Sequence, residues 1–304
     1  MLQMPGKSYQ DALFPLTAEE QKLAQDLEVD VREIASEPHN YLAYDNLVQT
    51  AQYLETQFTR SGYQVNHYKY RVDDQEFDNL EVEIIGTSQP EEIIVIGAHY
   101  DSVANVPGAN DNGSGAAAVL ALARRFAGKP QQKTLRFVEF VNEEPPFFWT
   151  EDMGSLVYAK ICKQRQDNIV GMMSLETMGY YSDVPGSQNY PAPLNLFYPL
   201  QGNFIAFIGN LDSGNWVKQV IGSFRSHTQF PSEGAALPNL LPGIGWSDHW
   251  SFWQQGYLGL MVTDTAPFRY PYYHTAEDTP DKIDYGKLAR VVSGLERVIR
   301  EVAN

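Results

Sequence analysis

The chain has 304 residues, 43% hydrophobic and 20% charged, a make-up that suits a globular protein large enough to bury a core without staples. Its 22 basic against 38 acidic residues give a net charge of −16, which argues against nucleic acid or an anionic membrane as a partner. The single Cys162 excludes an intrachain disulfide, a cysteine zinc ribbon and CxxC redox chemistry, and no apolar run approaches the roughly 18 residues of a membrane helix.

The opening MLQMPGKSYQ has neither a basic n-region nor an apolar h-region, so no signal peptide is expected. Cytoplasmic residence and export after removal of a leader both stay open. Thr17 to Glu37 and Tyr41 to Ser61 read as amphipathic helices, with a Thr17–Glu20 capping box and Gly62 as a stop. Strands follow at Gln64 to Arg71, Asn79 to Ile85 and Glu92 to Ala98. The last holds Ile93-Ile94-Val95-Ile96, a β-branched run suited to a strand buried on both faces. An Ala-rich helix (Ala116 to Phe126) precedes a strand at Thr134 to Val141, a helix at Gly154 to Gln164 and strands at Ile169 to Leu175 and Phe204 to Ile208. Helices at Ser213 to Phe224 and Asp248 to Gln255, a strand at Tyr257 to Thr263 and a closing helix at Tyr285 to Val302 complete the pattern.

Strands alternating with helices imply a three-layer α/β/α sandwich around a mostly parallel, mixed sheet. The expected organisation is one domain over 1–304, with the helices of residues 17–61 packed on it. Two long stretches, Tyr180 to Asn203 and Arg225 to Ser247, carry Pro, Gly, Ser and aromatics and read as loops walling a cleft.

The chemistry gathers at strand ends, where ligands collect in open α/β sheets. One strand delivers His99 and Asp101, with Asp111 in the Gly-rich loop beyond. The next delivers Glu143 and Glu144, another ends at Glu176, and the segment after the last strand carries Tyr273 and His274. Each residue alone has an ordinary structural reading as a cap, a turn or a solvated pair. Two imidazoles and several carboxylates on one rim, with no thiolate, suit zinc or a similar borderline metal. A loose dinucleotide fingerprint at Gly113 to Ala118 follows its strand by too long a loop, and there is no GxSxG elbow, complete P-loop or HExxH.

His99-Tyr-Asp101, Gly108-Ala-Asn-Asp111-Asn-Gly-Ser-Gly115, Glu143-Glu144, Ser174-Leu-Glu176 and Tyr273-His274-Thr together resemble the zinc aminopeptidases of the co-catalytic di-zinc exopeptidase clan, which also holds glutamate carboxypeptidases and glutaminyl cyclases. The resemblance runs from about Asn79 to the C-terminus. It implies a zinc-exopeptidase fold, two zinc ions and a peptide substrate with a free N-terminus. Asp111 would bridge the metals, His99 and Glu176 would hold one, and Glu144 and His274 the other. Glu143 would be the general base of a metal-activated water. Asp101 would orient the His99 imidazole, and Tyr273 could donate to the developing oxyanion or simply pack.

The chain departs from the family pattern twice. Glu176 stands where these aminopeptidases usually carry Asp, which bears on occupancy of the site it serves. The insert PPFFWTEDM follows Glu144, and Phe147, Phe148 and Trp149 are expected to line a substrate pocket. Gly245-Trp-Ser-Asp248-His249 resembles the family's Ser-Asp-His motif; Asp248 or His249 could support the site or touch substrate, and His249 is not expected as a ligand. A single-zinc glutaminyl cyclase and a non-catalytic binding module of the same fold are the alternatives, and the oligomeric state is not legible.

Overall fold

A computed structural model describes residues 3–304; Met1 and Leu2, where the expected domain and the opening MLQMPGKSYQ begin, lie outside the described residues. Helix α1 (Ala18–Ile34) starts on the capping box expected for it: the Thr17 hydroxyl accepts from the Glu20 N–H, and the Glu20 carboxylate accepts from the Thr17 N–H. Helix α2 (Tyr44–Arg60) follows, and then strands β1 (Asn66–Val72), β2 (Gln75–Ile84) and β3 (Gln89–His99). Helix α3 (Ser114–Phe126), strand β4 (Lys133–Phe140), helix α4 (Gly154–Gln164) and strand β5 (Asn168–Glu176) come next. The C-terminal third contributes β6 (Ile205–Asn210), α5 (Gly214–His227), β7 (Ser232–Leu237), α6 (His249–Gln254) and β8 (Gly259–Thr263), then the short α7 (Ala266–Arg269) and the closing α8 (Tyr285–Val302).

These strands form one eight-stranded mixed sheet in the order β1-β2-β4-β3-β5-β8-β6-β7. The centre, β4-β3-β5-β8, is parallel, and antiparallel pairs flank it at β1/β2, β2/β4 and β8/β6. Alternation along β3 explains the layers. Ile94 and Ile96 join the larger core, under α1, α2, α3, α5 and α8. Ile93 and Val95 face the other side, where Tyr158 and Cys162 of α4 and Phe252 of α6 cover them.

The stretch Tyr180 to Asn203 holds a short 3-10 turn at Leu194–Leu196 and an isolated antiparallel bridge between Pro185 and Gln201, as a long loop should. The stretch Arg225 to Ser247, read as a loop, contains strand β7. Its sequence, Ser-Glu-Gly-Ala-Ala-Leu, has no β-branched or aromatic residue, so pairing with β6 rather than propensity makes the strand. The outer edge of β7 is blunted by the N-terminal segment, whose Ser8 hydroxyl accepts from the Ser232 N–H. No described helix is long and apolar enough to cross a membrane.

Candidate metal centre

The parallel strands β3, β4 and β5 end at the same rim, and this brings the chemistry together. His99 is the last residue of β3 and Glu176 the last of β5. Glu143 and Glu144 leave β4, while Asp111 lies in the turn between β3 and α3. His274 arrives from the segment after α7, with its backbone in the left-handed region at φ 55°, a conformation that surrounding contacts must hold for a non-glycine residue.

Two trios result, and Asp111 belongs to both. One ligand atom from each of His99, Asp111 and Glu176 lies within 4.8 Å of the others, and the same holds for Asp111, Glu144 and His274. The two carboxylate oxygens of Asp111 face different imidazoles. Oδ1 is 3.5 Å from His99 Nε2, and Oδ2 is 3.0 Å from His274 Nε2. Each imidazole has its own glutamate, with Glu176 Oε2 at 3.3 Å from His99 and Glu144 Oε1 at 3.4 Å from His274. Glu143 Oε2 stands 3.8 Å from His99 Nε2 and belongs to neither trio.

The chemistry of these groups fits a divalent cation. His99 is fully buried, and its Nδ1 is 3.1 Å from the Asp101 carbonyl oxygen; with Nδ1–H donating there, the Nε2 lone pair faces the trio with no hydrogen-bond partner. Glu144 Oε1 is likewise buried without a partner. Burial pushes Glu143 well above the usual carboxylate range, Glu144 to about 7 and Glu176 to about 8, with neighbouring carboxylates adding to each. Burial also opposes charge on the imidazoles. The surrounding acids nevertheless hold His99 well above its usual value and His274 at about 10. Burial works to raise Asp111 as well, but hydrogen bonding with His274 and the charge of the two imidazoles beside it hold it below the usual range. So many acids crowded out of water need positive charge nearby, and imidazole nitrogens with carboxylate oxygens are a donor set for zinc.

Main-chain donors fix the acids in place. Both oxygens of Asp101 are engaged, Oδ1 accepting from the Glu143 N–H and Oδ2 from the Glu144 N–H, each at 3.1 Å. The carboxylate expected to orient His99 therefore sets the β4 exit as well, and the ring's shorter contact is to the Asp101 carbonyl. Asp278, to which sequence reasoning gave no role, accepts from the N–H groups of Asn110 and Asp111 and from the Tyr270 hydroxyl. Gly108 turns the loop at φ 71°. At Gly115 a Cβ would sit 2.2 Å from the Leu175 carbonyl oxygen, so only glycine lets α3 start against β5.

Two cavities meet over this centre. One is lined by Asp111, Glu143, Glu144, Phe148 and His274. The other is strongly apolar and runs among Tyr190, Leu194, Phe204, Ile208, Ala235 and Phe268. Glu176, Trp246 and Tyr273 line both. The insert was expected to line a pocket as a unit, and the structure divides it. Phe148 faces the first cavity, Phe147 turns inward against Tyr41 and Phe77, and Trp149 stacks between Phe148 and Trp250. The Tyr273 ring stacks on His274 at 3.9 Å between centroids, at the junction of the cavities. Asp248 and His249 are fully buried outside both trios, and His249 Nε2 is hydrogen-bonded to the Ile244 carbonyl.

Comparison with known proteins agrees with this picture. Residues 79–299 match the model of peptidase family M28. An uncharacterized Escherichia coli protein, YfbL, is 36% identical over 282 residues, covering 89% of this chain and 86% of YfbL. A probable leucine aminopeptidase of Arthroderma otae is 26% identical, covering 95% and 77%. Among solved structures, an aminopeptidase from Aneurinibacillus sp. strain AM-1 superposes with a TM-score of 0.71 at 17% identity, covering 94% and 95%. The Fimbriiglobus ruber glutaminyl cyclase gives 0.68 at 19%, covering 96% and 97%. At such identities the structural likeness speaks for the shared fold.

Proposed function

We propose that this chain, which belongs to peptidase family M28, is a zinc-dependent aminopeptidase that releases the first residue from peptides with a free N-terminus. The observation that carries the reading is the division of Asp111 between two imidazoles, one per carboxylate oxygen, each imidazole with its own glutamate. That arrangement supports two ions, one held by His99, Asp111 and Glu176 and the other by Asp111, Glu144 and His274. Two complete trios favour such a hydrolase over a single-zinc cyclase. Bound there, zinc supplies Lewis acidity toward the scissile carbonyl and makes hydroxide accessible near neutral pH.

The chain's own residues supply the rest. Glu143 belongs to neither trio yet faces their cavity, so its carboxylate is free to take a proton from water and return it to the departing amine. Burial and the neighbouring carboxylates raise its pKa, which favours uptake of a proton from water. Asp101 holds the Glu143 and Glu144 amides, so base and ligand keep a fixed relation. Tyr273 lines the same cavity beside His274, and its hydroxyl is assigned here as the donor to the oxyanion of the attacked carbonyl. The apolar cavity opens beside Glu176 and Tyr273 and is suited to the side chain of the first residue, which selects large apolar residues.

The test is elemental metal analysis with release of amino acids from unblocked aminoacyl anilides, before and after chelation. Zinc-dependent release with apolar residues preferred is expected. No release from any member of the panel by zinc-loaded protein refutes the proposal.

A further inference from the structure

The insert that follows Glu144 builds an aromatic wall beside the metal centre. Phe148 lines the cavity that also holds Glu143. Trp149 stacks on Phe148 at 4.9 Å between ring centroids, and Trp250 of α6 stacks on Trp149 at 5.7 Å, with the planes within 19° and 27° of parallel. Trp246 lines the same cavity and is backed in turn by Phe268, 6.3 Å away and within 14° of parallel. One hydrogen bond ties the two walls together: the Trp149 indole N–H donates to the carbonyl of Gly245, the neighbour of Trp246, at 3.0 Å. Gly245 itself packs closely on the stack, since a Cβ there would sit 3.2 Å from the Trp250 ring. Trp149 takes a left-handed backbone at φ 58°, unfavourable for a bulky residue, and stays 46% exposed. Stacking and a single hydrogen bond thus hold a strained, half-exposed indole behind Phe148, where the core gains little from it and a ligand in the cavity gains a rigid wall.

Glu143 decides which part of a peptide meets this wall. Its proton goes to the departing amine, so the second residue of the substrate begins beside Glu143. Phe148 shares that cavity and does not line the apolar one suited to the first side chain, while Trp246 stands at the junction and lines both. We infer that Phe148, backed by Trp149 and faced by Trp246, forms the subsite for the side chain of the second residue and selects aromatic side chains there. A ring set against Phe148 gains stacking in addition to the apolar area it buries, which an aliphatic side chain does not. The inference rests on the aminopeptidase reading above and gives substrate choice a second determinant, separate from the apolar cavity.

The test is kcat/KM for release of the first residue from leucyl-glycinamide and leucyl-phenylalaninamide, which differ at the second position, and from alanyl-glycinamide, which reports on the first. Zinc-loaded wild type should favour leucyl-phenylalaninamide over leucyl-glycinamide roughly 10-fold. In Phe148→Ala that ratio should fall to within about two-fold of unity, with zinc content and the leucyl-to-alanyl ratio as in wild type. Trp149→Ala removes the backing ring and the tie to Gly245, and should bring the second-position ratio down to roughly three-fold. Ala235→Phe, in the apolar cavity, should do the reverse, flattening the first-position ratio and sparing the second. A wild type indifferent to the second residue, a folded Phe148→Ala with its ratio unchanged, or one in which both ratios collapse alike overturns the inference and leaves the aminopeptidase reading standing. If Phe148→Ala does not fold, Trp149→Ala decides, and an unchanged second-position ratio there overturns it. No release from any of the three peptides overturns both.

Discussion

Replacing Ala235 by Phe asks whether the apolar cavity receives the first side chain of the substrate. Ala235 lies on β7, paired with Ile208 of β6, is 3% exposed and lines the cavity with Leu237 and Phe268. A leucine side chain carries three more carbons than alanine. At about 0.8 kcal/mol per buried methylene, its transfer into the cavity favours a leucyl over an alanyl substrate by about 2.4 kcal/mol, roughly 60-fold in kcat/KM. A phenyl ring grown from residue 235 occupies that space while leaving the trios untouched. The leucyl-to-alanyl ratio should fall to within a few-fold of unity, with alanyl anilide turnover and zinc content close to wild type. The assay is kcat/KM for alanyl, leucyl and phenylalanyl anilides, with thermal melts to confirm folding. A wild-type enzyme indifferent to leucine against alanine, or a folded variant whose ratio is unchanged, refutes the placing of the side chain in this cavity.

Glu143→Gln should lower turnover about 10²–10⁴-fold with zinc content unchanged, because Glu143 belongs to neither trio; loss of zinc in parallel would make it a ligand instead. Gly115→Ala puts a methyl 2.2 Å from the Leu175 carbonyl oxygen and 2.3 Å from Asn112 Oδ1, so it should cost roughly 1–3 kcal/mol or more in denaturant unfolding and weaken zinc binding. His249 is buried with Nδ1 unpartnered, and burial lowers its pKa from 6.5 to about 4. A histidine depressed in the folded state contributes stability that is full above 6.5 and is lost as pH falls toward 4. That loss is about 3 kcal/mol at 1.36 kcal/mol per tenfold, given the depression to about 4. Urea titrations between pH 7 and 4 should therefore show a shallower acid decline for His249→Gln than for wild type, and identical slopes would refute the assignment.

The fold was legible wherever a local pattern and the tertiary role agreed. The β-branched run of β3 marked a buried central strand, and its end located His99; the same reading of β5 located Glu176. Helices α4 and α8 fall on their expected residues, and the Asp284 carboxylate caps α8 by accepting from the Lys287 N–H. Strand β7 was not legible, since Ser-Glu-Gly-Ala-Ala-Leu becomes a strand only through its partner β6. The site divides in the same way. His99 and Glu176 end strands and Glu144 follows one, while family motifs drew in Asp111 and His274 from the loops beyond. Asp278 and Ser247 act across 167 and 71 residues of chain through single hydrogen bonds, and nothing in their own neighbourhoods announces that. The insert misled for a related reason: three consecutive aromatics cannot share a face in an irregular segment, so Phe147 joined the core and only Phe148 reached the cavity.

How the acids are held also bears on why the centre can take metal at all. Asp111, Glu143, Glu144 and Glu176 are buried together, and the ion pairs they make among the described residues are with His99 and His274, none with lysine or arginine. A guanidinium or ammonium in the cluster would satisfy the carboxylates and lower their pKa values, and it would also occupy the space and the charge that a cation needs. The supporting bonds come instead from main-chain N–H groups, two onto Asp101 and two onto Asp278, and from the Ser247 hydroxyl onto Glu176. Such donors orient without contributing a full charge. The cluster therefore stays geometrically fixed and electrostatically short of positive charge, which is the condition under which folding energy is converted into affinity for divalent ions.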